Sequence, residues 1–203
     1  MIAKEGFPFI VIPVVIGILF LVLSRNAYIG SCGWLFVLIG LFCAYFFRDP
    51  ARIMPAGDNL IVSACDGVVM EAGEVSGEQV IRVFLSVFNV HIQRSPVAGT
   101  VESVEYRQGK FLPAMKPEAH IVNEQNVFTI QTPKGKIIVK QIAGILARRV
   151  VAWSKPGDTL EAGGKIGLIK FGSQVDIHMP ITAKIKVKPG DKVTAGETVV
   201  GEF

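Results

Sequence analysis

The residues in this sequence best suited to chemistry are a glycine-serine pair near its C-terminal end. Ser173 follows Gly172 inside the apolar, strand-like run of residues 168–177. A hydroxyl held at a fixed position becomes a nucleophile when a base removes its proton. Glycine within such a run typically marks a bulge, or a place where a ligand or another backbone comes close. Read alone, the pair is most simply a β-bulge.

Two other side chains could act as a base and an acid. Strand alternation places His91 on one face with Asn89 and Gln93. A single histidine in a strand is more often structural than catalytic. Asp66 precedes a glycine, and an Asp-Gly pair ordinarily forms a tight turn. These residue types permit acid-base chemistry but do not establish it.

The cysteines and the remaining histidines show no metal-site pattern. Cys32 and Cys43 lie in the hydrophobic N-terminal part, and Cys65 lies beyond it. This spacing supplies neither a set of metal ligands nor an even disulfide framework. No neighbouring residues distinguish His120 or His178. The sequence therefore predicts no metal centre and favours a reducing compartment.

The chain that must position these groups has 203 residues, enough for one compact domain with a small appendage. Half of the residues are hydrophobic and the mean hydropathy is +0.47. The excess is concentrated in residues 7–23 and 27–47, which contain no charged side chain. At about 1.5 Å per residue, each run approaches the roughly 30 Å of a hydrocarbon core. We predict a membrane-anchoring helical hairpin over residues 1–47 and a separate domain over residues 48–203.

The charges that flank the hydrophobic runs predict the orientation of the hairpin. Lys4 precedes the first run, Arg48 and Arg52 follow the second, and only Arg25 lies between them. The positive-inside rule then places both ends in the cytoplasm. A cleaved secretory signal is the alternative, but a second apolar run directly after the first argues against it.

The net charge of +4 and a pI near 9.0 suit a domain that lies on anionic lipid headgroups. They would equally suit weak nucleic-acid binding. However, no run of basic residues with interleaved aromatic residues is present. The sequence therefore predicts no nucleic-acid partner.

The remainder of the chain has the pattern of an antiparallel β protein. Short stretches rich in Val, Ile and Phe are broken by turn residues every eight to twelve positions, which favours a barrel or sandwich over βαβ units. The sequence Lys-Pro-Gly-Asp occurs at residues 155–158 and 188–191, each time followed by Ala-Gly. Proline presets a turn and glycine adopts positive φ, so each copy predicts a tight turn that leads into a strand. The repeat resembles the hammerhead hairpins of biotinyl and lipoyl domains, although two ordinary surface turns are the simpler interpretation.

Residues 46–203 resemble, in collinear order, the short form of the phosphatidylserine decarboxylase family. The most specific part of the resemblance is the stretch Gly-Leu-Ile-Lys-Phe-Gly-Ser at residues 167–173, preceded by Ala-Arg-Arg at 147–149. The other matching segments are residues 46–50 with Pro55, 66–67, 90–96 with Gly99, 109–111, 123–124 and 141–144.

The resemblance implies that the chain is a precursor that cuts itself between Gly172 and Ser173. In that family the serine hydroxyl attacks the glycine carbonyl, and elimination then leaves a pyruvoyl group at the new N-terminus. The implied cofactor is therefore made from Ser173. Its ketone forms a Schiff base with the substrate amine and accepts electrons when carbon dioxide leaves.

The same resemblance gives roles to the three candidate catalytic residues. Asp66, His91 and Ser173 would form a triad for the cut, and Gly172, which lacks a Cβ, would expose its carbonyl. His91 is also the candidate to protonate the product carbon. Longer family members have a second histidine at the position of Phe88, so His91 would serve in both steps.

The resemblance also implies the partners of the chain and its location. The substrate would be a phospholipid of the cell (inner) membrane, and the catalytic domain would lie on the cytoplasmic side. An enzyme bound to the membrane meets this substrate at a high effective concentration. The two fragments would stay associated, and a homodimer is expected from the family. Phe111, Leu112 and Met115 either dip into the lipid interface or belong to the core.

Three alternative functions remain open. The first is decarboxylation of the ether-linked archaeal analogue of the lipid. The second is a non-catalytic biotinyl-like or lipoyl-like carrier or adaptor, but Lys170 lies in an apolar run rather than at an exposed tip. The third is an uncut lipid-binding homologue, which the presence of Ser173 and His91 argues against.

Overall fold

The structure of the protein is a computed structural model that describes residues 1–24, 26–113, 116, 118–144, 149–170 and 173–203, without the side chains of Ala27 and Ser173. The chain divides into two compact units, Met1–Ala51 and Arg52–Phe203. Each is described by itself.

The N-terminal unit is a pair of apolar helices. A short 3-10 turn (Lys4–Gly6) leads into α1 (Phe7–Leu23), and α2 (Ala27–Phe46) follows. Both helices are long and apolar enough to cross a membrane. They approach closely at small residues: a Cβ added at Gly17 would lie 2.7 Å from the carbonyl oxygen of Gly33. Small residues at helix crossings are typical of packing in lipid, and the predicted helical pair is confirmed.

The second unit is built almost entirely of strands. They are β1 (Leu60–Val62), β2 (Gly67–Val75), β3 (Glu78–Leu85), β4 (Ile92–Arg94), β5 (Gly99–Arg107), β6 (Gln125–Thr132), β7 (Gly135–Ala143), β8 (Arg149–Ala152), β9 (Thr159–Leu160), β10 (Lys165–Lys170), β11 (Ser173–Pro180), β12 (Lys184–Ile185), β13 (Lys192–Val193) and β14 (Val199–Glu202). Among its described residues, this unit has one short helix, α3 (Ala119–Val122). This confirms the predicted mainly β fold.

The strands form three sheets, and their described pairings are antiparallel. The largest has the order β13-β2-β3-β11-β7-β6-β5-β9, and the two smaller sheets have the orders β4-β10-β8 and β1-β14-β12. β11 lies inside the large sheet, paired with β3 on one side and β7 on the other. Its alternate residues Val175, Ile177 and Met179 are buried in the core. β11 is therefore held by both ladder hydrogen bonds and apolar packing.

Both Lys-Pro-Gly-Asp segments form the predicted turns. In one, the amide of Asp158 donates to the carbonyl oxygen of Lys155 (3.1 Å); in the other, Asp191 donates to Lys188 (3.1 Å). The glycine before each aspartate has positive φ, +91° and +94°. Each aspartate carboxylate also accepts a hydrogen bond from the lysine amide that opens its turn. The turns are equivalent in conformation and in hydrogen bonding.

Candidate active site

The proposed cleavage site lies where the chain passes from one sheet to another. β10 ends at Lys170 in a three-stranded sheet, and β11 begins at Ser173 in the eight-stranded sheet. The backbone of Ser173 pairs with Leu85 on one side and Ala143 on the other. Gly172 and the bulge expected there lie outside the described residues. The junction therefore joins two of the three sheets.

His91 is buried beside this junction and is oriented by a backbone carbonyl. Its side chain has no exposed surface, and its Nδ1 lies 2.9 Å from the carbonyl oxygen of Asn89. A carbonyl oxygen only accepts hydrogen bonds, so Nδ1 must carry the proton. In the neutral ring the lone pair is then on Nε2. The amide of Ile169 donates to the carbonyl oxygen of His91 (3.1 Å), which ties this segment to β10.

A local hydrogen-bonded turn fixes the carbonyl that orients His91. The Oδ1 of Asn89 accepts hydrogen bonds from the amide (2.9 Å) and the hydroxyl (2.7 Å) of Ser86. The amide of Asn89 donates back to the carbonyl oxygen of Ser86 (3.0 Å). Asparagine commonly stabilises turns in this way. The sequence placed Asn89 on the same face as His91 but did not indicate its role.

Asp66 binds Arg52 and the backbone of Ala195. One guanidinium nitrogen of Arg52, Nη2, lies 2.9 and 2.8 Å from the two carboxylate oxygens, and the amide of Ala195 donates to Oδ1 (2.9 Å). Glu197 also contacts Arg52, at 3.6 Å from Nη1. Within the described residues, no hydrogen bond of Asp66 reaches His91.

The segments that carry Asp66 and His91 nevertheless run side by side. The amide of Arg94 donates to the carbonyl oxygen of Ala64 (2.8 Å). Because the side chain of Ser173 is not described, the three-residue triad stays a prediction.

A chain of buried amide side chains crosses from the large sheet to β4. Asn126 donates to the Oε1 of Gln141 (2.9 Å), and the Nε2 of Gln141 donates to the Oε1 of Gln93 (2.7 Å). Gly167 makes this path possible, because a Cβ there would lie 2.6 Å from the Nε2 of Gln141. The first glycine of the 167–173 motif is therefore a point of close approach.

A second group of charged residues lies along β11, beyond Ser173. Burial raises the pKa of Asp176, against the opposing effects of a hydrogen bond from Gln174 and the charge of Arg82. Burial and the charge of Lys140 lower the pKa of His178, whose Nδ1 lies 2.7 Å from Glu78. Strand alternation places Asp176 and His178 on the face opposite the core residues of β11. We interpret this group as an ion-pair network that holds β11 in its sheet.

The loop before α3 is fastened to the strand that faces Ser173. Asn123, which is buried, donates to the carbonyl oxygens of Leu112 (2.9 Å) and Ala143 (2.7 Å) and accepts from the amide of Leu112 (2.9 Å). Phe111 is 39% exposed, and Met115 lies outside the described residues. Among the described residues, no group of side chains has the arrangement of a metal site.

Comparison with known proteins identifies the family. A model of the family described as phosphatidylserine decarboxylase matches residues 39–201. The phosphatidylserine decarboxylase proenzyme of Geobacter sulfurreducens is 44% identical over 208 residues, covering 98% of this chain and 95% of the relative. The proenzyme of the same name from Geotalea uraniireducens is 42% identical over 207 residues, with the same coverage. This chain therefore belongs to the phosphatidylserine decarboxylase family.

Proposed function

We propose that this chain is a proenzyme that cuts itself between Gly172 and Ser173 and then converts phosphatidylserine to phosphatidylethanolamine and carbon dioxide. The observation that carries the proposal is the similarity, over nearly the whole chain, to proteins named proenzymes of this activity. The buried, oriented imidazole of His91 near the junction of β10 and β11 supports it.

The cut requires a base for the hydroxyl of Ser173. We assign this role to the Nε2 of His91, because the contact with Asn89 places the lone pair of the neutral ring there. The hydroxyl oxygen adds to the Gly172 carbonyl carbon, the peptide C–N bond breaks, and an ester replaces it. Loss of the serine α-proton then breaks the ester C–O bond. This step releases the Gly172 carboxylate and leaves dehydroalanine, which water converts to the pyruvoyl group and ammonia.

Asp66 is assigned to the cut through its negative charge. Its carboxylate is held by Arg52 and Ala195, while Asn89 orients the ring of His91. A fixed anion in the neighbouring segment favours the positive imidazolium that forms when His91 takes up the proton. The effect should be smaller than that of a carboxylate hydrogen-bonded to the ring.

A pyruvoyl group at position 173 suits the way β11 is held. Residues 174–178 pair with both β3 and β7, so a new N-terminus at 173 keeps its place after the cut. The group would supply the electron sink for decarboxylation. His91 would then deliver a proton to the product carbon.

The two fragments should remain associated because they share one core. Residues 173–203 contribute β11 to the interior of the large sheet, β13 to its edge, and β12 and β14 to a third sheet. Val175, Ile177 and Val200 are fully buried. Separation would expose this apolar surface to water, which costs about 25 cal/mol of free energy per Å².

We also propose that the two apolar helices anchor the enzyme in the cell membrane, with the catalytic unit on the cytoplasmic side. The charges at Lys4 and Arg48 support this orientation. Membrane anchoring would hold the site near a substrate that never leaves the bilayer. A homodimer remains an expectation based on the family.

Substitution of the serine tests the proposed function. Wild-type protein should run as two fragments on a denaturing gel and release carbon dioxide from phosphatidylserine. Ser173→Ala should run as one chain and release none, because it has no hydroxyl to attack. Equal cutting in the wild type and in Ser173→Ala would refute the mechanism.

Lys170 is an unsuitable attachment site for a carrier, because it pairs with Arg149 inside the sheet.

A further inference from the structure

Five strands of the large sheet share the end at which the proposed cleavage site lies. β3 ends at Leu85, β7 ends at Ala143 and β11 begins at Ser173, and these three residues lie opposite one another. β6 is the next strand after β7, and β5 is the next after β6. β5 ends there as well, because Arg107 pairs with Gln125, the first residue of β6. From β3 to β5 this end measures about 19 Å, at roughly 4.8 Å per strand.

The segments next to these strand ends expose large apolar side chains. We call residues 86–89, 106–113, 116 and 118–122 the rim. It exposes Phe88 (64%), Tyr106 (58%), Phe111 (39%) and Ile121 (70%). One exposed apolar side chain is ordinary, whereas several around one site typically mark a surface that contacts a partner or a membrane.

The two parts of the rim that carry Phe111 and Ile121 are fastened to each other. The amide of Lys110 donates to the carbonyl oxygen of Val122 (2.7 Å), and the amide of Glu124 donates to the carbonyl oxygen of Lys110 (3.0 Å). These contacts bracket both apolar residues on a common backbone framework. Binding through them would therefore need little further ordering of the chain.

The same part of the rim has an excess of positive charge. Residues 106–122 contain three cationic side chains, Arg107, Lys110 and Lys116, and one acidic side chain, Glu118. All four are exposed. Cations beside exposed apolar groups are typical of surfaces that lie on anionic lipid headgroups. Lysine is depleted in interfaces between proteins, so the composition favours lipid over a protein partner.

We propose that the rim is a membrane-docking surface of the catalytic unit. Phe111 and Ile121 insert among the headgroups, and Lys110 and Lys116 lie beside anionic lipids. The proposal rests on the proposed function, because the rim lies around the junction at which the lipid would react. It adds a lipid contact made by the catalytic unit itself, in addition to the two apolar helices. Docking would bring position 173 to a substrate that stays in the bilayer.

Quenching by brominated lipid tests the contact directly on the full chain in vesicles. Trp34→Phe and Trp153→Phe remove the two native tryptophans, and Phe111→Trp or Ile121→Trp then adds a single probe. Ile181→Trp is the matched control, because Ile181 is exposed and follows β11 at the opposite end of the sheet. The vesicles contain phosphatidylglycerol and phosphatidylcholine, with or without bromine on the upper part of the acyl chains.

We expect bromine to lower the fluorescence of Phe111→Trp and Ile121→Trp, because docked apolar groups reach about 5–10 Å into the boundary between headgroups and acyl chains. Ile181→Trp should keep its intensity. Unquenched rim probes, as expected if a second protein covers the rim, would overturn the proposal. Equal quenching of all three probes would overturn it too, because the contact would not be specific to the rim.

The same measurement on Ser173→Ala separates this proposal from the proposed function. Lipid contact does not need the cut, so the rim probes should be quenched in the uncut chain as well. A wild type that neither cuts nor decarboxylates would refute the proposed function, and the quenching result would still decide the docking.

Charge substitutions test the lysines. The pair Lys110→Gln and Lys116→Gln should raise the KM for phosphatidylserine in vesicles by about 10-fold or more, the effect of two cations at an anionic surface. The control pair is Lys134→Gln and Lys136→Gln, in the hairpin that joins β6 and β7 at the opposite end, and it should leave this KM unchanged. In about 1 M salt, where the Debye length is about 3 Å, the two pairs should converge.

Short-chain phosphatidylserine dissolved as monomers distinguishes docking from recognition of a single headgroup. Both pairs of lysine variants should show the wild-type KM for this dissolved lipid. An equal increase of KM for dissolved and vesicle lipid in the rim pair would assign the lysines to headgroup binding and overturn the proposal. Equal KM values for the rim and control pairs in vesicles would also overturn it.

Discussion

The two copies of the turn-and-strand repeat fold alike but differ in one cluster of charges. We call them the Ser63 copy, residues 63–69 with 188–197, and the Ser95 copy, residues 95–101 with 155–164. The serine hydroxyl donates to the carbonyl oxygen two residues on, at 2.7 Å in the Ser63 copy and 2.6 Å in the Ser95 copy. The serine carbonyl accepts from the amide of Gly196 (2.9 Å) or Gly163 (2.8 Å). These shared contacts form the framework of each copy.

The carboxylates that bind Arg52 occur only in the Ser63 copy. Asp66 occupies the position that Ala98 occupies in the Ser95 copy, and Glu197 corresponds to Gly164. Arg52 binds both acidic residues. Because the Ser95 copy keeps the same turn and backbone hydrogen bonds without these charges, Asp66 is not required for the shape of the repeat. The comparison is therefore compatible with the role proposed for Asp66 in the cut.

The strongest test of this comparison moves the carboxylate between the copies. Asp66→Asn should slow self-cleavage by about 100-fold. Loss of a triad aspartate costs about 10⁴-fold where it is hydrogen-bonded to the histidine, and here it acts through charge alone. Ala98→Asp, at an exposed position, should cut at the wild-type rate. The rates are read from fragment appearance during cell-free synthesis. Normal cutting by Asp66→Asn would show that the charge difference has no role in the cut.

A smaller effect is expected when the cation is changed and the carboxylate is kept. Arg52→Gln should slow cutting by about 10-fold, because Asp66 loses the group that fixes its two oxygens. Arg52→Lys should recover most of the rate, since only one guanidinium nitrogen contacts Asp66. Equal rates for the Gln and Lys variants, in the same synthesis assay, would contradict a positioning role for the charge.

The smallest effect concerns the shared framework. Gly163 and Gly196 have positive φ, +75° and +73°, where a side chain costs about 1–2 kcal/mol. Gly163→Ala and Gly196→Ala should therefore lower the free energy of unfolding by similar amounts without changing the cutting rate. Thermal unfolding in detergent measures the first quantity and gel analysis the second. A large difference in stability loss between the two variants would show that the copies are less alike than their backbones suggest.

The sequence predicted the features that depend on neighbouring residues. Lys-Pro-Gly-Asp contains its own turn, because proline and glycine set φ and the aspartate binds the amide three residues before it. The apolar helices and the mainly β fold followed equally from pattern alone. The 167–173 motif also identified the family, since its residues are adjacent in the chain.

The contacts within the candidate site could not be predicted because they join distant segments. Arg52 was interpreted only as a charge flanking the membrane, whereas it binds Asp66 across a bend of the chain. Gln141 donates a hydrogen bond to Gln93 from a different sheet, and no local sequence pattern predicts this contact. Gly167 was a signal in retrospect, because a glycine in a buried strand marks such a crossing.

The most direct test of self-cleavage is intact mass spectrometry of the purified wild-type protein. We predict two chains, residues 1–172 with a free carboxylate and residues 173–203 with a pyruvoyl group in place of the N-terminal serine. A single uncut chain of residues 1–203 in a preparation that decarboxylates phosphatidylserine would contradict it.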